Sequence, residues 1–211
     1  MSRRLPVYLL IDTSGSMRGE PIESVKAGVQ SLISGLRHDP TALECVYVSI
    51  ISFDREAKVL CPLTSLEDFQ TPEFDCPRSG PTHLGAALAC LCSQVDDEVV
   101  IGSEDRKGDW RPLLFIMTDG APSDIMMFDE WAKKARSKGF GTIVACAAGA
   151  KGREEPLRVV ADHVVMLDTM DSVTFSQFFR FVSQAVSSGA QSMGTAELVL
   201  PPPPEEVHVV I

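Results

Sequence analysis

The stretch Val7-Tyr8-Leu9-Leu10-Ile11-Asp12-Thr13-Ser14-Gly15-Ser16 decides how this chain is read, because an unbroken apolar run stops at a carboxylate followed by two hydroxyls at alternate positions. A continuous apolar run of strand length, bounded by turn formers, fits a strand covered on both faces, as in parallel sheets. Asp12, Ser14 and Ser16 then stand at its carboxyl end. One carboxylate and two hydroxyl oxygens are hard ligands, suited to Mg²⁺, Mn²⁺ or Ca²⁺ rather than to a soft or borderline ion. Three oxygens leave an octahedron incomplete, so further ligands are to be sought along the chain.

Leu113-Leu114-Phe115-Ile116-Met117-Thr118-Asp119-Gly120 repeats the design and puts Asp119 at the carboxyl end of a second buried strand. Between the two lies Ser79-Gly80-Pro81-Thr82-His83-Leu84-Gly85, where Thr82 precedes an apolar helical pattern and can present its hydroxyl from a tight turn. Asp-x-Ser-x-Ser, a later Thr and a still later Thr-Asp-Gly, in that order, resemble the metal ion-dependent adhesion site of von Willebrand factor type A domains. Asp-x-Ser-x-Ser alone is a weak signal, since Ser and Asp after a strand are commonly turn and helix-cap residues. The three separated segments together make it a strong one.

Working outward, Pro21 suits the first turn of a helix, and Ile22, Val25, Val29, Leu32, Ile33 and Leu36 form one apolar stripe on it. That helix is expected to end near His38-Asp39-Pro40. Strands over Cys45–Phe53 and Ala57–Cys61, joined by Asp54-Arg55-Glu56, are too close for a crossover and read as an antiparallel hairpin. Residues 62–81 read as a loop with at most a helical turn around Leu66 to Phe69. A helix carrying Leu84, Leu88, Leu91 and Val95 follows, then a polar, mobile surface connection from Asp96 to Arg111, in which Val99-Val100-Ile101 either continues the helix or packs locally.

After Asp119 a helix is expected from Ile125 to Lys138, with Ser123 or Asp124 capping its amides and Phe128, Trp131, Ala132 and Ala135 facing inward. Thr142–Ala147 and His163–Leu167 read as strands, Pro156–Val160 as a short helix and Val173–Val186 as the closing helix. Alternating strands and helices, interrupted by one hairpin, give an α/β fold: a doubly wound, mostly parallel open sheet with helices on both faces. The resemblance covers roughly residues 5–187 and implies strand order 3-2-1-4-5-6 with the third strand antiparallel. In that order the strands bearing Asp12 and Asp119 are neighbours at a topological switch point, where such sheets bind ligands. The type A domain is thus assigned to residues 1–187 and a Pro-containing tail to 188–211. In the tail, Pro201–Pro204 read as a polyproline II spacer, and Val207–Ile211 either adds a strand to a sheet edge or hangs free.

Composition sets the outer bounds. The 211 residues, 45% hydrophobic and 23% charged, suit one soluble globular domain with extras. A formal net charge of -10 without a basic patch argues against nucleic acid and anionic membranes as partners. The six cysteines lie mostly in apolar stretches without Cys-x-x-Cys units, so free thiols in a reducing compartment are expected. Residues 1–6 are too short and polar for a secretory signal, and no apolar run approaches the ~18 residues that span a bilayer. The expected setting is cytoplasmic.

What the resemblance implies about function follows residue by residue. Ser14 and Ser16 would be direct ligands of a divalent cation, with Asp12, Thr82 and Asp119 completing or orienting the shell and one position left for water or for a partner's Asp or Glu. Mg²⁺ is the first choice, with Mn²⁺ or Ca²⁺ accepted. Where the family often has Gly-Gly before the threonine, this chain has Gly80-Pro81, which stiffens the loop and leaves the Thr82 hydroxyl in place. The Ile11 to Ser16 loop and compact length look most like bacterial tellurite-resistance and stress-response members, which implies a partner such as a protein phosphatase or kinase of the same stress system. The rival is a Mg²⁺-dependent phosphotransferase or phosphatase with Asp12 as nucleophile. Such enzymes of the haloacid dehalogenase type need Asp-x-Asp, and position 14 is serine. No Gly-x-Gly-x-x-Gly, P-loop or Gly-x-Ser-x-Gly motif is present, so the reading is a non-enzymatic, cation-dependent protein-binding module.

Overall fold

A computed structural model describes residues 3–103, 105, 107–150, 152–192, 202 and 207–210. Strands β1 (Leu5–Asp12), β2 (Val46–Phe53), β3 (Ala57–Ser65), β4 (Leu113–Thr118), β5 (Thr142–Ala148), β6 (His163–Leu167) and β7 (Val207–Val210) lie in one sheet in the order 3-2-1-4-5-6-7. β1 pairs in parallel with both β2 and β4, and the parallel array continues through β5 to β6. β3 and β7 are the antiparallel edges. The order expected over the first six strands is found, and the backbone of Val207–Val210 takes the edge beside β6. The Pro201–Pro204 spacer lies outside the described residues, Pro202 apart.

Helices α1 (Glu20–Arg37), α2 (Pro40–Cys45) and α6 (Ser172–Gln191) cover one face of the sheet, and α3 (Leu84–Glu98), α4 (Ile125–Ser137) and the short α5 (Glu154–Leu157) cover the other. Every residue of β1 is buried, because its side chains alternate between two cores. Leu5, Val7, Leu9 and Ile11 enter the core under α1 and α6, while Tyr8 and Leu10 enter the one under α3 and α4. The close approach of α1 to α6 rests on Gly28, where a Cβ would overlap the Phe179 ring.

Several local expectations need correction. Pro40 does not merely stop α1; it opens α2, for which Asp39 is the N-cap, accepting hydrogen bonds from the amides of Thr41 and Ala42. β2 consequently begins at Val46. β3 runs on to Ser65, past Cys61, as an edge strand that tolerates Pro62. α5 begins two residues earlier than expected, and α6 continues to Gln191. The connection after α3 is exposed at its described residues between Ile101 and Lys107, but it is pinned at both ends. Arg4 forms a two-pronged bond to Asp109, with Nε to Oδ1 at 2.9 Å and an Nη to Oδ2 at 2.6 Å, and Asp109 Oδ2 accepts from the Val100 amide at 2.8 Å. Arg3 adds bonds to the carbonyls of Gly108 and Asp109 and stacks on Trp110. Trp131 is half-buried, with Lys134 Nζ 3.9 Å from its ring centre. All six cysteines are free, Cys45, Cys92 and Cys146 being buried.

Candidate metal site

The site grows from the register of β1 against its neighbours. Ile11 lies opposite Met117 of β4 and Asp12 opposite Phe53 of β2, so both chains end at the same level and release their polar residues into one crevice. Thr118, the last residue of β4, donates its hydroxyl proton to Asp12 Oδ2 at 2.6 Å. The Ser14 amide donates to Asp12 Oδ1 at 2.8 Å. Asp12 is thereby clamped at both oxygens beneath the loop. The loop then turns through Gly15–Met17, a single 3-10 turn that brings Ser14 and Ser16 to the same side. Ser14 Oγ lies 3.2 Å from Ser16 Oγ, and Ser16 Oγ donates to Asp119 Oδ1 at 2.9 Å. Ligand candidates about a hundred residues apart in sequence therefore share one hydrogen-bonded chain.

Thr82 joins from the opposite side. A Cβ placed on Gly120 would stand 3.5 Å from Thr82 Oγ1, which puts that hydroxyl over the Asp119-Gly120 turn. The loop before it crosses Gly15 so closely that a side chain there would meet the Ser79 Cα at 2.6 Å, so only glycine at position 15 lets the two loops touch. All five expected residues, Asp12, Ser14, Ser16, Thr82 and Asp119, are thus gathered at one end of the sheet, all but Ser16 buried.

Two residues behind Asp119 do work that was read differently from sequence. Ser123 Oγ donates to the Thr82 carbonyl and accepts from the Thr82 amide, both at 3.0 Å, and the Ser123 amide bonds the same carbonyl at 2.9 Å. Asp124 does not cap its own helix α4. Its carboxylate accepts from the amides of Gly85 at 3.1 Å and Ala86 at 2.9 Å, and so caps α3 from across the interface. His83, at the N-cap position of α3, makes no side-chain cap and instead faces the Arg55 carbonyl through Nδ1 at 2.9 Å. The Thr82 loop and the Asp119 loop are therefore stitched into one unit. A local scan for helix caps finds Asp124 and assigns it to the wrong helix, because the helix it serves is adjacent only in space. Thr118 was within the quoted motif, but its role needed β1 and β4 side by side.

The electrostatics of the crevice centre on Asp12. Burial pushes the Asp12 carboxyl up to about 6, opposed by the hydrogen bonds from Thr118 and Ser14 and reinforced by the nearby Asp119 charge. Among the described residues, no three His, Cys, Asp or Glu side chains gather to hold a metal. Any cation bound by them must therefore draw on hydroxyl oxygens, and this crevice offers three beside two carboxylates. That donor set is hard and fits a small divalent ion.

A family model for the von Willebrand factor type A domain matches residues 7–180, most of the chain. The chain belongs to the von Willebrand factor type A domain family. Such type A domains are generally non-enzymatic interaction modules that often bind partners through a divalent ion at the metal ion-dependent adhesion site. A relative from Synechocystis sp., an uncharacterized protein, is 42% identical over 127 residues, which are 56% of this chain and 26% of that protein. Among solved structures, a von Willebrand factor type A protein from Catenulispora acidiphila superposes with TM-score 0.65 at 18% identity, over 89% of this chain and 44% of the other. The pilus adhesin SpaC of Lactobacillus rhamnosus GG gives 0.69 at 12% identity, over 89% and 31%. Proximal thread matrix protein 1 of the mussel byssus, with zinc in its metal ion-dependent adhesion site, gives 0.59 at 18% identity, over 87% and 48%. The chain spans about a quarter of the Synechocystis protein and less than half of each of these three structures. No helix among its described residues is long and apolar enough to cross a membrane.

Proposed function

We propose that Asp12, Ser14, Ser16, Thr82 and Asp119 of this type A domain hold a divalent cation, Mg²⁺ before Mn²⁺ or Ca²⁺, through which the domain captures a protein partner by an Asp or Glu carboxylate. The observation that carries the reading is the chain Ser14 Oγ, Ser16 Oγ, Asp119 Oδ1, with contacts of 3.2 and 2.9 Å, closing on a buried Asp12. Two carboxylates balance the charge of a divalent ion, and hydroxyls complete the shell without adding charge. A bound ion would leave a position that an acidic side chain of a partner fills, which is the chemistry it supplies. This chain's own residues set the geometry: Thr118 and the Ser14 amide fix Asp12, and Ser123 fixes Thr82.

The rival reading, with Asp12 as a phosphoryl acceptor, is disfavoured by the residue at position 14. Such an enzyme needs a second carboxylate there as acid and base, and Ser14 supplies only a hydroxyl and the amide that orients Asp12. The finer setting, a cytoplasmic bacterial tellurite-resistance or stress-response system with a phosphatase or kinase as partner, is supported by the likeness of the Ile11 to Ser16 loop.

Calorimetric titration of the metal-stripped protein with Mg²⁺, Mn²⁺ and Ca²⁺, beside a Ser14→Ala/Ser16→Ala variant, tests the site. Binding by the parent that disappears in the variant is expected. Equal binding by parent and variant would move the ion elsewhere and overturn the assignment.

A further inference from the structure

Immediately after the metal-site loop, α4 opens with three consecutive large apolar residues in water: Ile125 is 64% exposed, Met126 89% and Met127 39%. Helical side chains lean toward the amino end of their helix, and α4 begins six residues after Asp119, at the carboxyl end of the parallel strands where Asp12 also lies. These side chains therefore lean toward the metal-site face. The patch is close to the site. Ser123 Oγ is 3.0 Å from the Thr82 amide, and Ile125 follows two residues later, so the Ile125 Cα lies within roughly 13 Å of that amide at ~3.8 Å per residue.

The two sides of the crevice differ in charge. From Gly120 to Phe128 the single ionisable side chain is Asp124, and both its oxygens are turned inward onto Gly85 and Ala86. Toward β2 and α1 the loops carry Arg18, Arg55 and Arg78 mixed with Asp54, Glu56 and Asp75. The α4 side accordingly accommodates an apolar side chain without setting it against an exposed charge between Gly120 and Phe128. Methionine there is suited to contact, since its flexible, polarizable chain moulds to varied apolar shapes. Clustered exposed apolar residues beside a binding site mark recognition surfaces.

Building on the proposed capture of a carboxylate at the metal, we infer that Ile125 and Met126 form a second, apolar subsite continuous with the metal position. Its occupant is a partner segment in which an Asp or Glu is accompanied, two or three residues away, by a large apolar side chain such as Leu, Met or Phe. An extended chain advances about 3.3 Å per residue, so that spacing spans the distance from the crevice to the patch. The metal position supplies the requirement for acid and the patch selects among acidic segments.

The test uses two capped, amidated peptides, Leu-Gly-Asp-Gly-Leu and Gly-Gly-Asp-Gly-Gly, titrated into the Mg²⁺-loaded protein and into the EDTA-treated protein, with the methionine methyl resonances followed by NMR. The leucine peptide is expected to bind about tenfold tighter than the glycine peptide, the factor for roughly 50 Å² of apolar surface leaving water, and to shift the Met126 methyl. In an Ile125→Thr/Met126→Gln variant that advantage disappears while Mg²⁺ affinity is unchanged. Equal, Mg²⁺-dependent affinity for both peptides would overturn the apolar subsite and leave the carboxylate reading standing. Absence of Mg²⁺-dependent binding by either peptide would overturn both. A parent that is dimeric and a variant that is monomeric would show the patch covered by a second copy, which also overturns the inference.

Discussion

Replacing Asp12 by asparagine separates the electrostatic cost of burying this carboxylate from its use. The carboxyl is pushed from 3.8 to about 6 by burial. A shift of this size is worth at most about 3 kcal/mol, taking 1.36 kcal/mol per pK unit. The sign follows from where the proton is held: the folded state keeps it to higher pH than the unfolded state does. The stabilisation from the neutral form is therefore complete below 3.8 and is lost as pH rises through about 6. At pH 7.5 the metal-free parent carries the whole penalty, and about 1.4 kcal/mol of it is recovered by pH 5. An amide at position 12 carries no such charge. It still accepts from the Ser14 amide, and Thr118 can turn its proton to the Gly120 carbonyl, 3.2 Å away, while accepting from the new NH₂. Asp12→Asn should therefore raise the stability of the metal-free protein at pH 7.5 by up to ~3 kcal/mol, or roughly 6–12 °C in melting temperature for a domain of this size. The gain should shrink at pH 5, and added Mg²⁺ should stabilise the parent but not the variant. Urea unfolding of both proteins in EDTA at the two pH values, repeated with Mg²⁺, measures this. A variant less stable than the parent in EDTA at pH 7.5, or a gap independent of pH, would refute the reasoning.

Two further perturbations test the scaffold behind the site. Ser123→Ala removes both side-chain bonds to the Thr82 backbone and should cost about 1–2 kcal/mol in urea unfolding. It should also weaken Mg²⁺ binding in calorimetry, with affinity restored by Ser123→Thr. Gly85→Ala puts a Cβ 2.4 Å from the Phe128 amide nitrogen, a backbone atom that cannot swing away. It should destabilise by about 1–3 kcal/mol in chemical denaturation, and an unchanged midpoint would mean that α3 and α4 are less tightly joined than described.

The fold was legible wherever a local pattern and its burial agree. The apolar runs at Val7–Ile11 and Leu113–Met117 are strands because side chains on both faces find a core, and the stripe from Ile22 to Leu36 is a helix because one face does. Errors gathered at ends and connections. Pro40 reads equally as the stop of one helix and the start of another, and the Asp39 cap decided for the second. Asp109, at the end of a connection that looks solvated by composition, is held by Arg4 through a paired bond between residues 105 apart, invisible to any window along the chain.

The candidate site divides in the same way. Sequence alone determined the donor types, their order and their placement at strand ends, because carboxylate and hydroxyl chemistry is carried by residue identity and strand ends by apolar patterning. Tertiary structure decided that Ser16 reaches Asp119, that Thr118 of the neighbouring strand joins the Ser14 amide in orienting Asp12, that Asp124 serves α3 rather than α4, and that Ile125 and Met126 stand uncovered beside the crevice. The physical reason is that hydrogen bonds of 2.6 to 3.1 Å and solvent exposure depend on which strands and helices become neighbours, and that choice is made by packing the whole sheet rather than by any segment of it.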